Sequence, residues 1–532
     1  MSASAGLAPA PALSGAVRPP PPPPRPAFAW EVVGAVIGAK LALHLIVLAV
    51  TRFGVQRDEF LYLAMGRHLR LWHMDFPPFI ALLGNLSRAL FGQSLAVVRV
   101  FPAIEGSLLV LVAALIAREL GGGRFAQGLT AVCMLGSLLY LRSSTLFQPV
   151  VLDQLWWTLA LYALLRLERD DRPRWWIAFG LAVGAGLLTK FSILFFAVAA
   201  LVGVVATPTR RWLRTRWPWA AAGIALVIGS PSIVGQLALG FPVAGQMQDL
   251  QGQQLRHVTW SLFLTSQPLM VGPVPFLLAA VGAGTLILWK RWRRFAVLGV
   301  TCLAAFVLLF LLHGKAYYIG PIYPTLFAAG SVVLERAPRN RSSLALRVAV
   351  VASVLAFGFL GLPIGVPLLS PEATAAYALR TGATRSLRTN QGVLDRLPQD
   401  FADMLGWEEQ SRALSRVVVS LTPAERDSAV IFASNYGEAG AAEFYGPRYD
   451  LPPVISAAGS YWFFGPGRRS GAVLITIGED SSDVAKAYDD VRPVGVIRSP
   501  WSVEEERIVP LIVARNPKQS LQRLWPSLKG SE

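Results

Sequence analysis

The chain has 532 residues, 54% of them hydrophobic and 15% charged, with a mean hydropathy of +0.48. Soluble domains carry about 25% charged residues, so composition excludes a soluble enzyme and a disordered chain; two cysteines, both inside apolar blocks, exclude a disulfide scaffold. The net charge of +17, from 49 Lys+Arg against 32 Asp+Glu, is dealt into short clusters between apolar blocks, which fits a polytopic membrane protein rather than a nucleic-acid footprint.

Residues 1–28 are rich in Ala and Pro, with an unbroken proline run over 19–24, and are expected to form a disordered cytoplasmic tail. The apolar block 29–50 is long enough to cross a bilayer and has no small-residue cleavage site after it, so it reads as an uncleaved first span. A polar loop, 51–94, follows. Further spans are expected near 95–117, 124–141, 149–167, 175–189, 191–207, 218–238, 267–289, 295–312, 317–335 and 344–364, giving about eleven. Between them lie Arg172 and Arg174, then Arg210, Arg211, Arg214 and Arg216, then Lys290, Arg291, Arg293 and Arg294, then Arg336, Arg339 and Arg341. With the N-terminus inside, all these clusters fall on the cytoplasmic side, as the positive-inside rule requires. Loop 51–94, with five arginines of its own, is the exception.

Eleven spans put residues 367–532 outside. There charge rises and apolar runs shrink to strand length. Strands are expected at 429–433, 472–477 and 508–513, the last demoted to an edge by Pro510, and helices at 403–418 and 482–491. The expected fold is an α-helical polytopic membrane domain over 29–366 with an extracytoplasmic α/β domain over 367–532. Within the latter, the turn 433–440 contains Gly437 and Gly440; an anion-cradling loop and a plain strand-to-helix turn both fit, the latter better because the full dinucleotide fingerprint is missing.

Loop 51–94 is the most informative stretch for function. It contains Arg57-Asp58-Glu59-Phe60 directly after the first span, then His68, His73 and Asp75-Phe76-Pro77-Pro78. Carboxylates here sit at the lipid–water interface, where they either balance the loop's own arginines or do chemistry. A sugar carried on a lipid phosphate leaves with a stable anion and needs no general acid; one base and cations for the phosphate suffice. Such cations stand on the same side: Arg57, Lys190 between two spans, and Lys315 in His313-Gly314-Lys315-Ala316-Tyr317-Tyr318. The lysines also fit a bland role as snorkelling or interfacial anchors. His68, His73 and Asp75 match no standard zinc spacing.

These motifs, together with Asp153 in Leu152-Asp153-Gln154-Leu155-Trp156-Trp157 and Lys190 in Leu188-Thr189-Lys190-Phe191-Ser192, resemble the polytopic lipid-linked glycosyltransferases of the GT-C class. The bacterial branch similar to protein O-mannosyltransferases and the lipid A aminoarabinose transferase, family 39-like, is the nearest in pattern. The resemblance spans 29 to about 335 and implies a GT-C fold and inverting transfer of a sugar from a polyprenyl-phosphate donor to a hydroxyl of an envelope lipid, glycan or protein on the outer face of the cytoplasmic membrane. It implies Asp58 as catalytic base with Glu59 as its nearest substitute. Arg57, Lys190, Lys315 and Tyr317 would hold the donor phosphate, and Asp75, Asp153 and His313 would line the substrate cavity. No cofactor, metal or nucleic acid is expected. The rival reading is a transporter or flippase of lipid-linked saccharides, against which stand the clustering of acids at one interface and the lack of repeated halves.

Overall fold

The structure, a computed structural model, describes residues 23–529. The expected tail therefore lies mostly outside the described residues. Its last part, 23–28, is extended chain packed on the helical body: Arg25 donates to Glu119 and Asp170, both at 2.9 Å.

Long apolar runs become helices because the backbone must satisfy its own polar groups in lipid. In chain order these are α1 (Trp30–Val50), α2 (Arg57–Arg67), α3 (Phe79–Phe91), α4 (Ala96–Glu119), α5 (Arg124–Gly136), α6 (Leu138–Ser143), α7 (Pro149–Asp170), α8 (Trp175–Thr189) and α9 (Ile193–Ala206). They continue with α10 (Trp217–Ala238), α11 (Pro242–Gln253), α12 (Trp260–Val271), α13 (Pro273–Leu288), α14 (Ala296–Leu311), a 3-10 turn (Ala316–Ile322), α15 (Tyr323–Glu335) and α16 (Arg341–Gly365). Helix occupies every expected span. By length and composition seven of the described helices can cross a membrane, or nine if two pairs bent by 102° and 108° each count as one. Two expected spans fall short: α8 has 15 residues, and α5 breaks from α6 at Ser137, whose hydroxyl bonds the Cys133 and Val271 carbonyls.

The basic clusters gather at one end of this bundle. Arg211 pairs with Glu168 and Asp171, Arg294 donates to the Glu168 carbonyl and Arg336 to that of Leu120. At 1.5 Å per residue, α7 carries the chain about 25 Å from this end to Asp153. Loop 51–94 and the C-terminal domain lie at the other end.

That domain holds α17 (Pro371–Arg380), α18 (Gln399–Ala402), α19 (Trp407–Ser420), α20 (Pro423–Ser428), β1 (Ala429–Ala433), α21 (Tyr436–Tyr449), β2 (Val454–Ser456), a short helix Ser460–Phe464, β3 (Val473–Ile477), a helix Ser481–Ala487, β4 (Tyr488–Arg498) and β5 (Ile508–Pro517). The sheet order is β2-β1-β3-β5-β4, parallel through β1 and antiparallel at β3–β5 and β5–β4. Two expectations are corrected. The helix expected over 482–491 ends at Ala487, and 488–491 opens β4. The strand carrying Pro510 is interior, not an edge. Pro510 lies one residue past the last β3 pair, Ile477 with Leu511, where its missing N–H costs no bond to β3, and its carbonyl still accepts from Gly478.

The first loop and the C-terminal domain share a core. Phe60 of α2 is buried against Trp407, Phe444 and Tyr445, with ring centroids 5.7–6.0 Å apart. Glycines on α21 allow this approach: a Cβ at Gly440 would stand 2.6 Å from the Phe60 Cβ, and one at Gly437 2.7 Å from Arg57 Cγ. The glycine-containing turn is thus a strand-to-helix turn whose glycines serve close helix packing. Asn435 caps it, accepting from the Gly437 and Glu438 amides.

Candidate active site

Asp58 stands in the first turn of α2. Gln56 starts that helix with a capping box: its side chain accepts from the Asp58 amide at 2.8 Å, while its own amide donates to Glu59 Oε2 at 2.7 Å, satisfying N–H groups that a helix start leaves bare. The Asp58 carboxylate is then held from two sides. Tyr436 of α21 donates its hydroxyl to Oδ1 at 2.9 Å, and Gln148, just before α7, donates to Oδ2 at 3.1 Å. Burial pushes the Asp58 carboxyl above its ordinary range, while the Tyr436 hydrogen bond and the charges of Arg57 and Lys315 oppose the shift.

Glu59 points the other way. It is fully buried, ion-paired to Arg99 of α4, and accepts from the Phe147 amide at 2.7 Å. Arg99 also donates to the Gly54 and Thr145 carbonyls. This knot fixes the residue before Gln148, and so sets where the Gln148 amide meets Asp58. Both Glu59 oxygens are engaged within the protein and the residue is fully buried, so it is tied into the fold and not turned to solvent. Arg57 is likewise committed: its guanidinium lies 4.9 Å from the Tyr436 ring centroid and 3.4 Å from Glu505.

Two lysines complete the constellation. Lys190 ends α8, its Nζ 4.8 Å and 5.8 Å from the Tyr318 and Tyr317 ring centroids. Lys315 immediately precedes the 316–322 turn that carries both tyrosines, whose rings meet edge to face at 4.8 Å. Neither ammonium has a carboxylate within ion-pair distance among the described residues. Burial lowers both; Lys315 falls to about 8, with Lys190 pressing it down and Asp58 and Asp400 holding it up. Asp153, the fifth residue of α7, accepts from Trp157 Nε1 at 2.9 Å and Ser192 Oγ at 2.8 Å, and its charge reaches Lys190. Asp58, Lys315, Lys190 and Asp153 thus form an electrostatically linked row, an acid at each end and the two ammonium groups between them, at the end of the bundle remote from the basic clusters.

Other expected residues sit apart from it. Asp75 is buried and accepts from Ser460 at 2.7 Å and Gln246 at 3.3 Å, tying the first loop to the C-terminal domain and α11. His313 is exposed, its ring stacked on Trp260 at 5.6 Å rather than turned towards Asp58. His68 stacks on Phe464 and pairs with Glu443, away from Asp75. Among the described residues no three His, Cys, Asp or Glu are arranged to hold a metal ion.

Sequence reasoning missed Tyr436, Gln148, Asp400 and Asp403. Gln56 Nε2 donates to Asp403 Oδ2 at 3.5 Å, Asp403 Oδ1 has no hydrogen-bond partner among the described residues, and burial with the nearby Asp58 charge holds the Asp403 carboxyl well above the usual carboxylate range. Asp400 is neutralised by Arg142 at 2.7 Å. The capped turn at Asn435 was the one available signal for Tyr436, since it marks where a helix begins beside a strand end.

The model of the family described as dolichyl-phosphate-mannose-protein mannosyltransferase matches residues 75–234. No curated protein matches the chain. Among solved structures, ArnT from Cupriavidus metallidurans bound to undecaprenyl phosphate superposes with a TM-score of 0.61 at 18% identity, covering 91% of this chain and 98% of that one. Its apo form gives 0.60 at the same identity and coverage. The resemblance to GT-C, family 39-like proteins carried by the motifs is borne out by this family match and by the shared fold.

Proposed function

We propose that the protein transfers a sugar from a polyprenyl-phosphate carrier to a hydroxyl acceptor, on the outer face of the cytoplasmic membrane, across eleven spans with the C-terminal domain outside. The observation that carries this reading is one carboxylate, Asp58, anchored at both oxygens and within reach of the Lys315 charge, which in turn stands beside Lys190, with neither ammonium in an ion pair among the described residues. The family match and the undecaprenyl phosphate seen in the ArnT structure support the class of donor.

In this reading the acceptor oxygen attacks the anomeric carbon as its proton passes to Asp58. The bond from that carbon to the phosphate oxygen breaks, and the electron pair leaves on polyprenyl phosphate. A single displacement inverts the anomeric centre. The raised Asp58 carboxyl makes a stronger base than a solvated one, provided it is ionised, and Tyr436 keeps it so. Lys190 and Lys315 meet the growing phosphate charge, each through a contact worth about 1.5–3 kcal/mol. Tyr317 and Tyr318 set Lys190 in place, and Glu59 positions rather than reacts. The acceptor is an envelope lipid, glycan or protein.

The test is transfer from a radiolabelled polyprenyl-phosphate sugar into envelope material. Asp58→Asn keeps shape but cannot take a proton, so transfer should fall about 10²–10⁴-fold with membrane expression unchanged. Near-normal transfer would remove Asp58 as base. If the variant also carried lipid-linked saccharide across vesicles as well as the parent, the flippase reading would replace the transferase.

A further inference from the structure

At the far end of α2, about 13 Å along the helix from Asp58, Gly66, Arg67, Asn85, Arg88 and Ala89 line an open depression of about 440 Å³ between α2 and α3. The absence of a side chain at Gly66 creates the approach: a Cβ there would stand 2.7 Å from Asn85 Oδ1, and the Asn85 amide donates to the Gly66 carbonyl at 2.8 Å. Asn85 is thereby fixed, and two guanidiniums share the space it borders. The acid nearest them, Glu443, is spent. It takes Arg67 at 3.4 Å on one oxygen, and the Tyr461 hydroxyl at 2.8 Å and His68 at 3.5 Å on the other. Arg88 has neither an ion pair nor a side-chain hydrogen bond among the described residues, although the neighbouring Gly84 and Ser87 are buried.

The other side of α3 identifies the surroundings. Leu82, Leu86 and Leu90 recur every fourth residue and are 42%, 50% and 61% exposed, and Trp72 in the preceding turn is half exposed. A 13-residue helix with such a row is too short to span and instead lies in the interface with its leucines in the acyl region. Asn85 and Ala89 lie about 60–100° round the helix from that row and Arg88 about 160°, so the depression opens on the side of α3 turned away from the acyl region, towards the headgroups.

We infer that this depression is a binding site for the phosphate of an anionic membrane phospholipid, with Arg67 and Arg88 as its cations and the leucine row of α3 against its acyl chains. Basic side chains at this depth attract anionic lipid, and a guanidinium pair matches phosphate oxygens with directed N–H groups. The site is separate from Asp58 and its lysines, so it stands or falls independently of the transfer reaction.

The experiment uses the full chain in nonionic detergent, titrated with dioctanoyl phosphatidylglycerol, dioctanoyl phosphatidylcholine and inorganic phosphate and read by microscale thermophoresis. The parent protein should bind the phosphatidylglycerol at least about tenfold more tightly than the phosphatidylcholine, and inorganic phosphate far more weakly than either. Arg88→Gln, which breaks no contact within the protein, should erase the preference for the anionic lipid while sugar transfer stays unchanged. Arg67→Gln should act in the same direction. A preference that survives the Arg67→Gln/Arg88→Gln pair would overturn the site. Inorganic phosphate binding as tightly as the lipid, with the same loss in Arg88→Gln, would overturn the lipid as its occupant.

Discussion

Tyr436→Phe isolates what the C-terminal domain contributes to the chemistry. The substitution removes one oxygen, the donor 2.9 Å from Asp58 Oδ1, and keeps the ring beneath Arg57. A hydrogen bond to an ionised group contributes about 1.5–3 kcal/mol. Because the hydroxyl favours the charged carboxylate, its loss raises the Asp58 pKa further, adding to the effect of burial. The ionisation equilibrium shifts by about 10–150-fold at 1.4 kcal/mol per tenfold. Asp58 must be ionised to accept a proton, so the acid limb of kcat/KM moves towards neutral pH by a corresponding amount. On the alkaline side of that limb the rate should be little changed, since a stronger base offsets the lost contact. The assay is sugar transfer across a pH series for parent and variant, with thermal unfolding recorded for both. An acid limb that stays put, or moves to lower pH, would refute the claim that Tyr436 controls the proton affinity of Asp58.

Two further expectations use the same assay. Lys315 loses its proton at about 8, and only its charged form helps bind phosphate, so kcat/KM should decline above about pH 8. Lys315→Arg, charged at every accessible pH, should abolish that limb, and its persistence would show that another group titrates there. Glu59→Gln strands Arg99 as a buried unpaired charge, for which about 3–5 kcal/mol is a normal cost; early thermal unfolding should therefore accompany its loss of activity, whereas Asp58→Asn should unfold like the parent. Equal unfolding temperatures for the two variants would deny Glu59 its positioning role.

The division between what was legible and what was not follows sequence separation. Helix-length apolar runs are local and can be read from neighbouring residues; the box formed by Gln56 and Glu59 is local too, but Gln is not a residue type that announces a helix start. Asp58, Lys190 and Lys315 stand out because a charge that interrupts or borders an apolar run is costly. Tyr436 meets Asp58 across 378 residues, and no periodicity in either stretch announces the pairing. The same applies to Gln148, whose reach is set by Glu59 holding the neighbouring Phe147 amide. Errors in the C-terminal domain are local in another sense. The helix Ser481–Ala487 runs straight into β4 without a glycine or proline to punctuate it, and Pro510 was tolerable inside the sheet only because β3 ends one residue short of it.

The same long-range pairing gives the packing of the C-terminal domain on the first loop a role in the proposed reaction. Asp58 needs conflicting surroundings: enough burial to raise its proton affinity, and enough donors to keep it charged. The helical bundle supplies Gln148 and the burial, while the second donor comes from α21. Gly437 and Gly440 let that helix approach to within contact of Phe60 and Arg57, and Asn435 fixes its first turn so that Tyr436 faces the carboxylate. A side chain at Gly440 would push the helix outward at Phe60, and the 2.9 Å bond at Asp58 would be lost without any change to a charged residue. The domain is therefore part of the surroundings of Asp58, and its position against α2 governs the proton affinity of the carboxylate that the proposed transfer would use.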